Sequence, residues 1–451
     1  MLLWNESFGR RIHSHSRLLM NRPGCAKITA AIKHNDRSLR KRQQHHITAT
    51  SFQDRAITRR KAMFDFTSVP FFDNHTHRIN VQNRAITPLE LAIAFVHGWG
   101  PLNPPDKPLG ASAEVANCTP EYEYHVMNMG VVKVLINRLA QKYGCAADAE
   151  TVIAERNRRT LADGYGYAKS LYEEAGIIGE VVDDGAPFGS PELACFPTKI
   201  YRLFQMDPYV RKLLKTAGSF GEMKAAFDAG VRERLAEGFI GIKSHVLELC
   251  TRPPRIVEDS EAAACFDAAQ AGDQAAFETV YLALFEHVLM LTQELDFTVH
   301  IHTGCTGNPN DLKTCTDPYA MEPVLRDHRY YAAHIVFLHG NPPDFGHDAW
   351  ICHAYPNVWM DLGWSLPWLS MNMESILEEV LSMAPHSKIM LGTGQHDHAE
   401  MSWLAASVAR SALANVMERQ VERGLLSREQ AIETAEQLLY RNALRLYRIN
   451  R

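Results

Sequence analysis

No pair among the nine cysteines stands in CxxC spacing, and nine is an odd number. That leaves no pattern to support a disulfide framework and points to reduced thiols in an intracellular, cytoplasmic setting. No uninterrupted apolar run approaches the roughly 18 residues of a membrane-crossing helix. No internal repeat recurs. Excess positive charge is missing as well: the formal net charge is −5 over 451 residues. Neither nucleic acid nor a membrane surface is therefore an expected partner.

Acidic residues are scarce only at the start of the chain. Residues 1–62 hold 14 Lys and Arg against 3 Asp and Glu, which leaves the remainder strongly acidic. This stretch, with "RSLRKRQQHH", has little helical or strand periodicity. It reads as a disordered tail, a targeting segment, or a non-native extension ahead of Met63. A disordered or non-native extension is the favoured reading, so residues 63–451 carry the fold.

What is present is a globular composition, 46% hydrophobic and 22% charged, with 21 histidines. Short runs that are apolar on both faces alternate with helical patterns from residue 63 onward. The strand candidates cover 68–75, 176–185, 199–206, 238–245, 296–304, 334–340, 357–363 and 387–394. Doubly apolar strands suit a parallel sheet covered on both sides. Eight of them with helices between fit a (β/α)8 barrel, and a doubly wound open sheet is the alternative. Residues 98–165 break the rhythm and read as a helical insertion after the first strand. Ser427 and Gln430 have the spacing of a capping box for the last helical stretch.

The proposed strands end in polar residues: His75 and His77, Asp183 and Asp184, Lys243 and His245, His300 and His302, His339, and Asp361. Strand residues i and i+2 share a side, so His75 and His77 in "FFDNHTHRIN" can close on one ion. Imidazoles suit zinc, manganese or iron, and a carboxylate commonly completes such a set. His347, His353 and Cys352 read as packing or surface residues, and Cys305 and Cys315 have no base partner nearby.

The ordered series "FFDNHTHR", "GFIGIKS", "VHIHTG", "IVFLHG" and "YPNVWMDLGWSLPW" resembles the amidohydrolase superfamily, in its amidohydrolase-related (type 2) branch. The subgroup is the one found fused ahead of glutamine-synthetase-like domains. The resemblance implies a distorted (β/α)8 TIM barrel and a divalent metal, zinc first, with manganese or iron as alternatives. His75, His77 and His302 would be ligands, and His339 would orient or protonate the substrate oxygen. Lys243 and Trp364, the latter with Trp368, would contact substrate. The implied activity is hydrolysis of a C–N or C–O bond in a small, carboxylated molecule. Decarboxylation, uronate-type isomerisation and a catalytically impaired binding barrel are the alternatives. One departure stands out: Gly394 in "LGTGQHDHAE" occupies the place of the branch's eighth-strand Asp. Asp397 would reach back as fourth ligand or base, or His396 would substitute. Assembly into a homo-oligomer is left open.

Overall fold

The structure, a computed structural model, describes residues 64–96, 115–183, 185, 190–305 and 313–449. The chain divides into two units, Met1–Lys61 and Ala62–Arg451, and every described residue belongs to the second. The expectation for residues 1–62 lies outside the described residues, as does that for residues 98–114 of the insertion.

Nine strands form one parallel sheet: β1 Phe71–Ile79, β2 Ile177–Val182, β3 Ile200–Gln205, β4 Gly241–Ser244, β5 Thr298–His302, β6 Ile335–Leu338, β7 Val358–Asp361, β8 Ile389–Met390 and β9 Gln395–Asp397. Their order is β8-β7-β6-β5-β4-β3-β2-β1-β9. The first seven each fall within two to four residues of a stretch read from the sequence, because apolarity on both faces is what parallel pairing under helices demands. Val181, Ile242, Val299, Ile301, Ile335, Val336, Phe337, Val358, Met360 and Ile389 are all fully buried. Each such side chain contributes about 1.5–3 kcal/mol over its exposed state.

The eighth strand is split, and the split closes the barrel. β8 pairs with β7 and β9 pairs with β1. Between them the Asn74 N–H donates to the Leu391 carbonyl at 3.1 Å, and the Gly394 N–H donates to the His75 carbonyl at 2.8 Å. The result is a distorted (β/α)8 TIM barrel. Gly394 takes the turn at φ +60°, and a Cβ there would lie 2.5–2.6 Å from the Trp364 backbone. Only glycine satisfies both the left-handed conformation and the close approach.

Between β1 and β2 stand the helices Pro88–Val96, Pro120–Met127, Gly130–Tyr143 and Ala149–Glu174. The last is tied to the helix Ala399–Glu422 by a buried Arg156–Glu400 ion pair at 2.6 Å, to which the Tyr167 hydroxyl also donates at 2.9 Å. The helix Gln274–Leu295 is long and apolar enough to cross a membrane by length and composition. Most of its apolar window (78%) is buried against the rest of the protein. The Ser427–Gln430 capping box forms in both directions and opens the helix Arg428–Glu436.

Candidate metal centre

Parallel strands deliver their last residues to one end of the barrel, and that is where the imidazoles gather. The His75 ring lies 4.8 Å from His77 and 5.1 Å from His339, and His339 lies 4.4 Å from His302. Four histidines from β1, β5 and the end of β6 thus line one continuous wall. His300, two residues before His302, sits below them. Its Nε2 is held by the Thr298 hydroxyl at 3.0 Å and the Tyr447 hydroxyl at 3.3 Å.

His75 is fully buried, and neither ring nitrogen has a hydrogen-bond partner. Such a group is costly unless something else satisfies it. Its neighbours show what that would be. Donor atoms of His75, His77 and Asp183 all lie within 4.8 Å of one another. His77 donates its Nδ1–H to the Asp183 carbonyl oxygen at 2.9 Å, so Nε2 carries the lone pair. An imidazole oriented through its second nitrogen is the usual state of a metal ligand. Burial holds His77 down at about 4 and holds His75, His302 and His339 well below the ordinary imidazole range. All four rings are therefore neutral at pH 7, as ligation requires.

The carboxylates are placed differently from the sequence expectation. Asp397 pairs with Arg78 at 3.0 Å, and the Arg78 side chain is 75% exposed, so this carboxylate faces the rim. Its φ of +62° and the pairing of β9 with β1 fix it there. Among the described residues Asp397 is outside the His75/His77/Asp183 donor cluster, and its carboxylate is held by Arg78 instead. His396 stacks on His77 at 3.9 Å and 18°. Asp183, which the sequence reading placed at a strand end without a role, is the carboxylate beside His75 and His77. Its Oδ1 accepts from Gln205 at 2.6 Å, and Oδ2 lies 3.5 Å from Lys243 Nζ, both members of that ion pair being buried. Burial pushes the Asp183 carboxyl up, but the Lys243 ammonium beside it and the Gln205 hydrogen bond hold it below the usual carboxylate range.

Asp361 ends β7 at full burial. Its Oδ1 accepts from the Gly363 N–H at 2.7 Å, and burial pushes the carboxyl up to about 7. His339 donates Nδ1–H to the Gly363 carbonyl at 2.9 Å, leaving Nε2 for the site. Trp364 stacks on Trp368 at 4.7 Å and stands edge-on to His339 at 6.1 Å.

A protein-family model described as amidohydrolase matches residues 206–449, more than half of the chain. The chain belongs to the amidohydrolase family. Amidohydrolases of this type are metal-dependent enzymes acting on small molecules, and the buried, unpartnered His75 fits the divalent ion that the family implies. The fluG protein of Emericella nidulans is 32% identical over 153 residues, which are 34% of this chain and 17% of that protein. Among solved structures, a protein proposed to be a metal-dependent hydrolase from Lactobacillus casei superposes with a TM-score of 0.69 at 18% identity. The match covers 86% of this chain and 98% of that one. Glucuronate isomerase from Caulobacter crescentus gives 0.61 at 15% identity, over 85% and 92%. Uronate isomerase from Thermotoga maritima gives 0.57 at 13%, over 84% and 95%. These likenesses establish a shared fold for this amidohydrolase.

Proposed function

We propose that this amidohydrolase cleaves a C–N or C–O bond of a small carboxylated substrate with a divalent ion, zinc before manganese or iron, held by His75, His77 and Asp183. The observation that carries the reading is His75: a fully buried imidazole with two unsatisfied nitrogens, between His77 and His339. A divalent ion there supplies Lewis acidity toward a carbonyl and toward water.

The remaining steps belong to this chain's side chains. His302 faces the cluster from across His339, and His339 Nε2 is turned toward the substrate oxygen. Asp361, poised at about 7, takes and returns a proton near neutral pH, the condition for efficient general acid–base work. Lys243 offers a cation for a substrate carboxylate from its place beside Asp183. Trp364 and His396 shape the entrance. Unbridged cysteines throughout the described residues fit a reducing, cytoplasmic setting. The catalytic module is assigned to residues 63–451, with the helices after β1 as its cap.

A second reading draws on Gly394, where no side chain fits and the family's eighth-strand carboxylate is missing. It is metal-dependent isomerisation or decarboxylation. Metal analysis combined with a panel of N-acyl, lactone, uronate and carboxylated substrates tests both. Hydrolysis that disappears in His75→Ala supports the first reading. Uronate isomerisation or carbon dioxide release without hydrolysis replaces it with the second. A metal-free protein with neither activity rejects both.

A further inference from the structure

A cavity of about 690 Å³ opens between the helix Gly130–Tyr143, the start of the helix Met373–Met383 and the helix Ala399–Glu422. None of its lining residues belongs to the metal centre. The volume is that of a small-molecule site, about 300–1,000 Å³. The helix Gly130–Tyr143 buries Val132, Leu135, Ile136 and Leu139 against the protein. Residues i and i+4 share a helix face, so 133, 134, 137 and 138 form a different stripe. That stripe sets Lys133, Asn137 and Arg138 side by side on one wall of the cavity.

Two other basic side chains of these helices are paired: Lys142 with Glu174, and Arg419 with Glu374 and Glu378. Lys133 and Arg138 have no carboxylate partner and no side-chain hydrogen bond among the described residues. Glu374, the one carboxylate of the lining, is engaged on both oxygens, by Asn415 Nδ2 at 2.7 Å and by Arg419 at 2.6 Å. In a chain of net charge −5, the cavity therefore holds two uncompensated cations opposite neutral amides and hydroxyls, Asn372, Ser375 and Ser411. A cleft lined by one sign of charge concentrates ions of the other. The planar fork of an arginine matches a phosphate, and amides and hydroxyls suit the hydroxyl groups of a sugar.

We propose that this cavity is an effector site for a small phosphorylated sugar or nucleotide, its phosphate held by Lys133 and Arg138. The floor is the turn Leu369–Asn372, which follows the short helix Ser365–Trp368 and bonds back to it. The Leu369 N–H donates to the Ser365 carbonyl at 2.9 Å, and the Asn372 N–H donates to the Leu369 carbonyl at 2.8 Å. Trp364 caps that helix, stacks on Trp368 and stands edge-on to His339. Met371 joins floor to wall, because its sulfur lies 2.9 Å from where a Cβ on Gly130 would stand. A ligand bridging Arg138 and Asn372 thus bears on the turn that continues the Trp364/Trp368 pair. Binding here is independent of the metal-dependent reading above.

The test is calorimetric titration of the full-length protein with glucose 6-phosphate, adenosine monophosphate and inorganic pyrophosphate, with glucose and adenosine as neutral counterparts. At least one phosphorylated probe should bind saturably and more weakly as salt rises, and the neutral counterparts should not bind. Arg138→Gln and Lys133→Gln should each weaken that binding about 10–100-fold, the loss expected for one charged hydrogen-bonding partner. Melting temperature and bound metal should stay unchanged in both variants. Binding should also shift the tryptophan emission, and Trp368→Phe should remove most of that shift. No saturable binding by any of the three probes overturns the proposal. So does binding that survives the double variant Arg138→Gln/Lys133→Gln, which would put the anion elsewhere, at Lys243 for example. Saturable binding with unchanged emission overturns the effector role.

Discussion

His77 donates its Nδ1–H to the main-chain carbonyl of Asp183 at 2.9 Å, while the carboxylate of the same Asp183 joins His75 and His77 in one donor cluster. One residue thus orients a ligand with its backbone and adds a donor with its side chain. The parallel pairing of β1 with β2 makes this contact, since Thr76 is in register with Val182, the residue before Asp183.

Replacing the carboxylate while keeping the backbone separates those roles. Asp183→Asn retains the carbonyl that orients His77 but loses the anionic donor. Metal affinity is expected to fall at least about 10–100-fold, the loss typical of a supporting group alone. Titration against a competing chelator measures it. Unchanged affinity would remove Asp183 from the site.

Asp361 makes the metal-free protein's stability pH-dependent in a defined direction. Its folded-state value of about 7 lies above the ordinary 3.8, so the folded state binds the extra proton between those limits. Its contribution is fully present below about 3.8 and is lost as pH rises through 7. Asp361→Asn mimics the protonated form, so the chelated variant should exceed the chelated wild type at pH 8 by a few kcal/mol at most. The gap should shrink at pH 5. Urea unfolding at the two pH values decides it; a gap that widens on acidification contradicts the assignment.

His77 titrates with the opposite sign. Its folded value of about 4 lies below the ordinary 6.5, so the unfolded chain binds more protons between them. Stability therefore falls as pH drops from about 6.5 toward 4. His77→Gln should flatten that acid limb in thermal melts of the metal-free protein recorded from pH 7 to 4.5.

Restoring a carboxylate at position 394 should not restore a ligand. Gly394 has φ +60°, and a Cβ added there would lie 2.5–2.6 Å from the Trp364 backbone. Gly394→Asp and Gly394→Ala are both expected to destabilise by more than about 1–3 kcal/mol, the cost of strained backbone before any clash. Equal melting temperatures for wild type and Gly394→Ala would refute the packing argument.

Truncating Arg156 leaves Glu400 buried without its cation. Arg156→Ala should cost about 3–5 kcal/mol in chemical denaturation, because the stranded charge has no access to water. A loss below about 1 kcal/mol would mean that Tyr167 alone satisfies Glu400.

The barrel was legible in the sequence because parallel strands buried on both faces leave an unmistakable local trace: short apolar runs with polar ends. The His75/His77 pair was legible for the same reason, since period-two geometry is a property of the strand itself. The closure was not, because β8 and β9 together contribute only five residues to the sheet and the turn between them depends on Trp364. Asp183 and Asp361 were visible as residues, but nothing local ranked them above Asp397. The role of Asp183 comes from a neighbour 106 positions away in the chain, through His77–Asp183. Local sequence thus determined which strands form and which side chains reach the barrel mouth. Only the tertiary structure decided which carboxylate faces which imidazole, because that choice rests on the register between strands and on the hydrogen bond that each ring's second nitrogen finds.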